Sequence, residues 1–250
     1  MILKNKVAIV TGGARDIGRA VSVKLAAEGA RVVINYFENK DQAEDTLAEI
    51  ESFGGTAMIV QGDMTKQSDV NTVVAEALSA YGDDINVLVN VAGGLVARKK
   101  IEEMDEDFFD FVVKLNLNSV FLMTKAVVPH MKSGSSIVNF ASQAGRDGGG
   151  GGASAYATAK GAVMTFTRAM AKELGPKNIR VNALCPGMIA TTFHDTFTND
   201  QVRVNVANGT PLRREGEAIE VANLVACLAS AETSFVTGTN IDINGGLAFS

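Results

Sequence analysis

Seven short apolar runs rich in β-branched residues, spread over the whole chain, constrain its fold more than any other feature. They are Val7–Val10, Val32–Ile34, Ala57–Val60, Val87–Val89, Ile137–Phe140, Val181–Leu184 and Ile241–Ile243, and they read as strands. Between them, apolar residues recur three or four apart, as in Ile17/Val21/Leu25 and Ala159/Ala162/Val163/Phe166/Met170/Leu174, which is the period of a helix. Strand therefore alternates with helix throughout. Because the strands are apolar on both faces, the expected fold class is α/β, a parallel sheet with helices covering each side.

A chain of 250 residues that is 46% hydrophobic can bury one large core, and no internal repeat or Pro- or Ser-rich linker divides it, so residues 1–250 are expected to form a single domain. The only low-complexity piece, Gly148–Gly152, reads as a mobile loop. A net charge of −5 with a single basic cluster, Arg98-Lys99-Lys100, argues against a nucleic-acid or membrane-surface partner. No apolar run is expected to reach bilayer-spanning length, and Met1 to Lys6 passes into the first strand without a signal-peptide pattern. The expectation is a cytoplasmic protein. Cys185 and Cys227 lack metal spacing and His130 and His194 are the only histidines, so neither a disulfide framework nor a zinc site is expected.

Ser142, Tyr156 and Lys160 lie between the fifth strand and a long amphipathic helix. The Tyr-x3-Lys spacing puts a phenol and an ammonium on one helical face, where the cation is expected to lower the phenol pKa from its free value of about 10 and equip Tyr156 for proton transfer. At the other end of the chain, the first strand runs into Thr11-Gly12-Gly13-Ala14-Arg15-Asp16-Ile17-Gly18 and then a helix, the context in which a glycine-rich turn presents backbone N–H groups to a pyrophosphate. Asp63 follows the third strand and Asn90-Val91-Ala92-Gly93 the fourth, on the sheet edge where ligands of open α/β sheets bind.

These motifs, with Pro186-Gly187, together resemble the short-chain dehydrogenase/reductase family over essentially the whole chain. The resemblance implies a Rossmann-type, doubly wound seven-stranded sheet, a nicotinamide dinucleotide and a homotetramer. Residue by residue, it implies Gly12, Ile17 and Gly18 at the pyrophosphate and Asp63 with Met64 at the adenine. It also implies Asn90, Ala92 and Gly93 near the adenosine ribose, and Pro186, Gly187, Ile189 and Thr191 near the nicotinamide amide. Tyr156 is then general acid, Ser142 a polarising donor and Lys160 a pKa modulator that also anchors the ribose. Asn116 supports a proton-relay water. Two positions depart from the family pattern: Asp16 stands where glycine is usual, and Val91 where a second asparagine is usual. Aspartate tolerates left-handed backbone, and its carboxylate should point away from the phosphates.

The second strand ends Ile34-Asn35-Tyr36 without the acid that would bind ribose hydroxyls and repel a 2′-phosphate, while Arg15 supplies a cation. NADP(H) is therefore expected over NAD(H), the alternative being a solvated Arg15 with Glu38 on the ribose. One substrate wall should be Ser142 to Tyr156, with Arg146 and the glycines; the other should be a lid-like connection from Gly187 to about Arg214 that carries His194. Arg146 and His194 are the candidate substrate contacts. Cations around the mouth and few aromatics suit a small keto or aldehydo acid, and the segments around Tyr156 and Pro186 are similar to reductases of keto-sugar acids. The runner-up is a 3-oxoacyl-[acyl-carrier-protein] reductase, and a reading from another class is a dinucleotide-binding regulator without chemistry.

Overall fold

The computed structural model describes residues 1–249. All seven expected strands form: β1 Val7–Thr11, β2 Arg31–Tyr36, β3 Thr56–Gln61, β4 Val87–Asn90, β5 Ser136–Phe140, β6 Arg180–Pro186 and β7 Asn240–Ile243. They make one sheet in the order β3-β2-β1-β4-β5-β6-β7, with every pairing parallel. The chain winds outward from β1 to β3, then crosses back and winds the other way from β4 to β7. Its direction reverses between β1 and β4, where Val10 pairs with Val89 and Thr11 with Asn90. A crevice opens at the carboxyl ends of the strands at such a switch point.

The connections are the helices α1 Asp16–Ala27, α2 Lys40–Ser52, α3 Gln67–Tyr81, α4 Glu106–Val113, α5 Ser119–Val127, α6 Ala144–Asp147, α7 Ser154–Leu174, α8 Thr192–Phe197, α9 Asp200–Gly209 and α10 Ala218–Ala229. Alternation along the strands divides the core in two. Ala8, Val10, Val32, Ile34, Val87 and Val89 pack under Val21 and Leu25 of α1, Ala43 and Ile50 of α2, and Val221 and Val225 of α10. Ile9, Val33, Leu88, Ile137 and Val181 face the other way, onto Val70 and Val73 of α3, Met123 and Val127 of α5, and Leu174 of α7. Along the central strands β1, β2, β4, β5 and β6 both faces of the sheet are thus buried, which is why they read as unbroken apolar runs, while the edge strands β3 and β7 are half-buried.

One expectation needs correction. The continuous helical stretch Glu106–His130, which includes a π-helical turn at Lys114–Asn118, contains an 18-residue window of mean hydropathy 1.4, by length and composition alone apolar enough to cross a membrane. Its apolar character serves packing: Val112, Val120, Met123 and Val127 are buried against the rest of the fold. Phe109, Phe111 and Phe121 of the same stretch are exposed. Among the described residues no cluster of His, Cys, Asp or Glu could hold a metal ion.

Candidate active site

A cleft of about 880 Å³ runs along the carboxyl ends of the strands, from Tyr36 and Asn39 at one end to Tyr156 and His194 at the other. The turn after β1 forms its near wall. Gly18 at the start of α1 is there because nothing larger fits: a Cβ would lie 2.0 Å from the Gly12 carbonyl oxygen. Glycine lets the helix N-terminus close on the loop, leaving a cradle whose backbone N–H groups and helix dipole suit a pyrophosphate. Asn35 props this cradle from behind. Its Oδ1 accepts the Gly12 N–H at 3.1 Å, and its Nδ2 donates to the carbonyls of Val60 and Gly62 at 3.4 and 3.0 Å. Asn35, expected to touch cofactor, is a buried brace whose amide is already committed.

Asp16 sits in left-handed backbone at φ +50. Its carboxylate accepts from the Thr192 N–H at 3.0 Å and the Thr192 hydroxyl at 2.6 Å, so it is turned toward the connection after β6. Arg15 donates to the same hydroxyl at 3.0 Å and lies 3.3 Å from the Asp16 carboxylate. The cation expected at a 2′-phosphate is thus engaged with Asp16 and the lid. No acid ends β2 itself, but Glu38 lines the cleft two residues later, together with Tyr36 and Phe37.

Asp63 is held in place by Thr65, whose N–H and hydroxyl donate to Oδ1 at 2.9 and 2.7 Å. Burial pushes its pKa up, but these bonds and the Lys66 ammonium outweigh burial and hold it below the usual carboxylate range. Asn90 does not reach the cleft, contrary to expectation. It is buried at the β4–β5 register opposite Asn139 and donates to Asn139 Oδ1 at 2.9 Å, while Asn139 donates to Thr167 of α7 at 3.0 Å. The groups presented to the cleft after β4 are instead Val91 to Leu95. Thr11 supports this stretch, its hydroxyl accepting the N–H groups of Val91 and Ala92 at 3.1 Å each. Sequence reasoning passed over Thr11, Asn139 and Thr167; the apolar runs that contain or precede them gave no sign of cross-strand partners.

At the far end, Ser142, Tyr156 and Lys160 line the same cleft. Tyr156 and Lys160 are one turn apart near the start of α7, and the Lys160 Nζ lies 5.7 Å from the Tyr156 ring centre. The ammonium donates to the Phe140 carbonyl at 2.7 Å. Burial pushes the Lys160 pKa down to about 8. Burial also pushes the Tyr156 phenol up, against a smaller opposing effect of the Ser142 hydroxyl. The expected lowering of the phenol pKa by Lys160 is therefore not found. Desolvation dominates, because both groups sit at the cleft floor and the ammonium is aimed at a backbone carbonyl. Tyr156 is protonated at neutral pH, as a proton donor needs to be.

Asn116 lies behind the cleft rather than in it. From the π-helical turn it donates to the carbonyls of Gly94 and Val112 at 2.8 and 2.9 Å and accepts the Gly94 N–H at 3.0 Å. Gly93 lets the chain pass between it and Lys160; a Cβ there would lie 2.6 Å from Asn116 Oδ1 and 3.2 Å from Lys160 Nζ. Asn116 is thus placed to fix the loop beside the lysine.

Arg146 is corrected outright. It donates to Asp242 Oδ1 at 2.6 Å and bonds the Asn240 carbonyl, tying α6 to β7. Because the pair is largely shielded, Arg146→Ala leaves a partly buried carboxylate unpaired, and we expect a loss of about 2 kcal/mol in chemical denaturation with little change in substrate KM. His194 does line the cleft; its Nδ1 is 2.9 Å from the Thr198 hydroxyl and its ring meets Phe193 edge-on at 5.0 Å. Phe193 in turn lies 6.1 Å from the Tyr156 ring. The connection after β6 is built from α8 and α9, which Arg203 ties together through Asp195 and a two-point contact with Glu215 at 2.7 Å each.

This fold, with a glycine-cradled switch point at one end of its cleft and a half-buried Tyr156 one turn from a buried Lys160 at the other, defines a Rossmann-type oxidoreductase. A family model described as enoyl-(acyl carrier protein) reductase matches residues 12–248. An uncharacterised oxidoreductase of Bacillus subtilis, YhxC, is 39% identical over 245 residues, covering 98% of this chain and 85% of the relative. The 3-oxoacyl-[acyl-carrier-protein] reductase FabG of Staphylococcus epidermidis is 36% identical over 246 residues, covering 97% and 99%. Among solved structures, a short-chain dehydrogenase from Burkholderia cenocepacia J2315 in complex with NADP superposes with a TM-score of 0.92 at 31% identity, over 99% of both chains. The chain belongs to the short-chain dehydrogenase/reductase family.

Proposed function

We propose that this protein reduces the carbonyl of a small polar or anionic substrate, a keto or aldehydo acid of the keto-sugar-acid type, to an alcohol with NADPH. The observation that carries the chemistry is the convergence of Ser142, Tyr156 and Lys160 at the end of a cleft whose other end is a phosphate cradle. The Gly12–Gly18 turn, with no bulk between loop and helix, fits the dinucleotide's pyrophosphate, and the cofactor supplies the hydride. Tyr156 gives its proton to the carbonyl oxygen as that oxygen gains charge, and Ser142 donates a second hydrogen bond to it. Lys160 stabilises the phenolate left behind, 5.7 Å from its ring centre. Asn116 acts on this step by positioning the Gly94 backbone beside the lysine. Preference for NADPH is supported by the end of β2, where Asn35 and Tyr36 stand in place of an acid; Arg15 would have to leave Asp16 and Thr192 to contribute.

Charge on Lys160 sets the pH behaviour. Reduction needs the ammonium, so kcat/KM should be level at neutral pH and fall as pH rises through about 8, where the free enzyme loses that proton. Stability should move oppositely. A lysine whose folded pKa lies below its unfolded value destabilises the native state while charged, so the penalty is full below about pH 8 and disappears as pH climbs toward the unfolded value of 10.5. The shift corresponds to roughly 3 kcal/mol, less about 1 kcal/mol for the lost bond to Phe140. Lys160→Met should therefore be more stable than the wild type in urea at pH 7, with the gap closing by pH 10, while losing turnover.

A panel of keto acids, keto-sugar acids and 3-oxoacyl thioesters assayed with NADPH and NADH tests the proposal. We expect turnover of the acids and tighter binding of NADPH. The similarity to FabG supports a second reading, reduction of a 3-oxoacyl thioester, and turnover of thioesters with none of keto acids would put that reading first. Tight NADPH binding with no turnover of any carbonyl would instead indicate a dinucleotide-binding regulator.

A further inference from the structure

We propose that Arg98 is the specificity-determining residue of the substrate cleft, the group that binds the acid function of the carbonyl substrate. The inference rests on the reading of the protein as a keto-acid reductase and names the residue that would make it one. Arg98 lies on the loop after β4 and lines the cleft together with Gly149, Gly150, Phe193 and His194. Its Nε donates to the Phe197 carbonyl at the end of α8 at 3.1 Å, and its Nη1 to the Gly151 carbonyl at 3.0 Å. The guanidinium thus spans the mouth from the glycine run to the lid. A guanidinium carries five N–H donors, and these bonds use two of them.

The glycine run is shaped around this side chain. A Cβ on Gly150 would lie 3.3 Å from Arg98 Nη1, and one on Gly152 would lie 3.0 Å from the Arg98 Cβ. The backbone is closed on the same segment, since the Lys99 N–H donates to the Gly152 carbonyl at 3.1 Å. Two residues before Arg98, Val96 holds φ +67, a left-handed conformation that a β-branched residue adopts only under constraint. A low-complexity stretch and a strained loop therefore meet to seat one arginine.

Elimination leads to the same residue. The other cations of the cleft are committed: Arg15 to Asp16 and Thr192, and Lys160 to Phe140 at the floor. Arg146 is outside the cleft and paired with Asp242. Burial holds the His194 pKa below its ordinary value, so that ring is neutral at pH 7. Among the described residues no carboxylate lies within ion-pair distance of Arg98. A planar, unpaired guanidinium with spare donors is suited to two-point binding of a carboxylate, which a lysine ammonium cannot reproduce. Bound there, the acid would sit on the lid side of the cleft, leaving the substrate's carbonyl to reach toward Tyr156.

The test compares a 2-keto acid with its primary amide, which keeps the carbonyl and loses the charge, in the wild type, Arg98→Gln and Arg98→Lys with saturating NADPH. The wild type should prefer the acid. Arg98→Gln should reduce the acid-to-amide ratio of kcat/KM by about 10- to 100-fold, chiefly through KM of the acid, and Arg98→Lys should restore only part of it. An acid-to-amide ratio in Arg98→Gln equal to that of the wild type would overturn the assignment, because a residue that merely straps the lid would affect both substrates alike. If the wild type itself shows no preference for the acid, the keto-acid reading fails and the assignment falls with it, a distinguishable result. Should the variants not fold, phenylglyoxal labelling of the wild type decides: the keto acid should protect Arg98 and the amide should not, and equal protection would refute the proposal.

Discussion

Tyr156→Phe should fold, bind NADPH with wild-type affinity and reduce its carbonyl substrate about two to four orders of magnitude more slowly than the wild type. The substitution removes one oxygen from a ring held by Phe193 at 6.1 Å and by the surrounding α7 packing, so shape and burial stay as they are. What disappears is the phenol proton that is to be handed to the carbonyl oxygen; the Ser142 hydroxyl beside it is far less acidic and remains only a hydrogen-bond donor. Lys160 cannot replace it, because its ammonium is fixed to the Phe140 carbonyl. Loss should appear in kcat more than in KM, since the interaction with the carbonyl oxygen strengthens as that oxygen gains charge. Cofactor fluorescence titration and single-turnover reduction check the two halves separately. A variant within threefold of wild-type turnover would remove Tyr156 from the chemistry.

Gly18→Ala should abolish dinucleotide binding at the opposite end of the cleft. A methyl group there would lie 2.0 Å from the Gly12 carbonyl oxygen, and 3.0 Å from the Gly13 Cα, closer than non-bonded atoms approach. Relief requires the N-terminus of α1 to separate from the β1 turn, which dismantles the cradle and disturbs the packing of Val21 and Leu25 beneath it. We expect NADPH affinity to fall at least about 100-fold and stability to fall by about 1 to 3 kcal/mol, the usual cost of overpacking. Isothermal titration and urea denaturation measure the two effects. Unchanged affinity would mean that the loop is not the pyrophosphate cradle.

The parts of this protein visible in its sequence are those specified by neighbouring residues. Strand positions follow from short β-branched runs, and the Tyr156–Lys160 pair follows from helical geometry one turn long. The parts that were misread depend on residues far apart in the chain. Arg146 looked like a free cation beside the site because its partner, Asp242, lies 96 residues away. That the Asp16 carboxylate turns away from the phosphates follows from charge alone, but its partner does not, because Thr192 is 176 residues away. The family resemblance implies Asn90 near the ribose, but the β4–β5 register sets it opposite Asn139 inside the core. Gly148–Gly152 reads as a mobile loop until Arg98 is set against it. The phenol pKa was misjudged for a different reason: spacing shows that a cation is near but not how deeply both groups are buried.

The most direct test of a carbonyl-reducing centre at this cleft uses NADPH deuterated on the transferred position of the dihydronicotinamide ring, with mass spectrometry and NMR of the alcohol formed. One deuterium should appear on the former carbonyl carbon in a single configuration, with no exchange into solvent, and the Tyr156→Phe variant should form that product at a rate reduced by about two to four orders of magnitude. Product without deuterium at that carbon, or labelled product formed at equal rates by the variant and the wild type, would contradict the account.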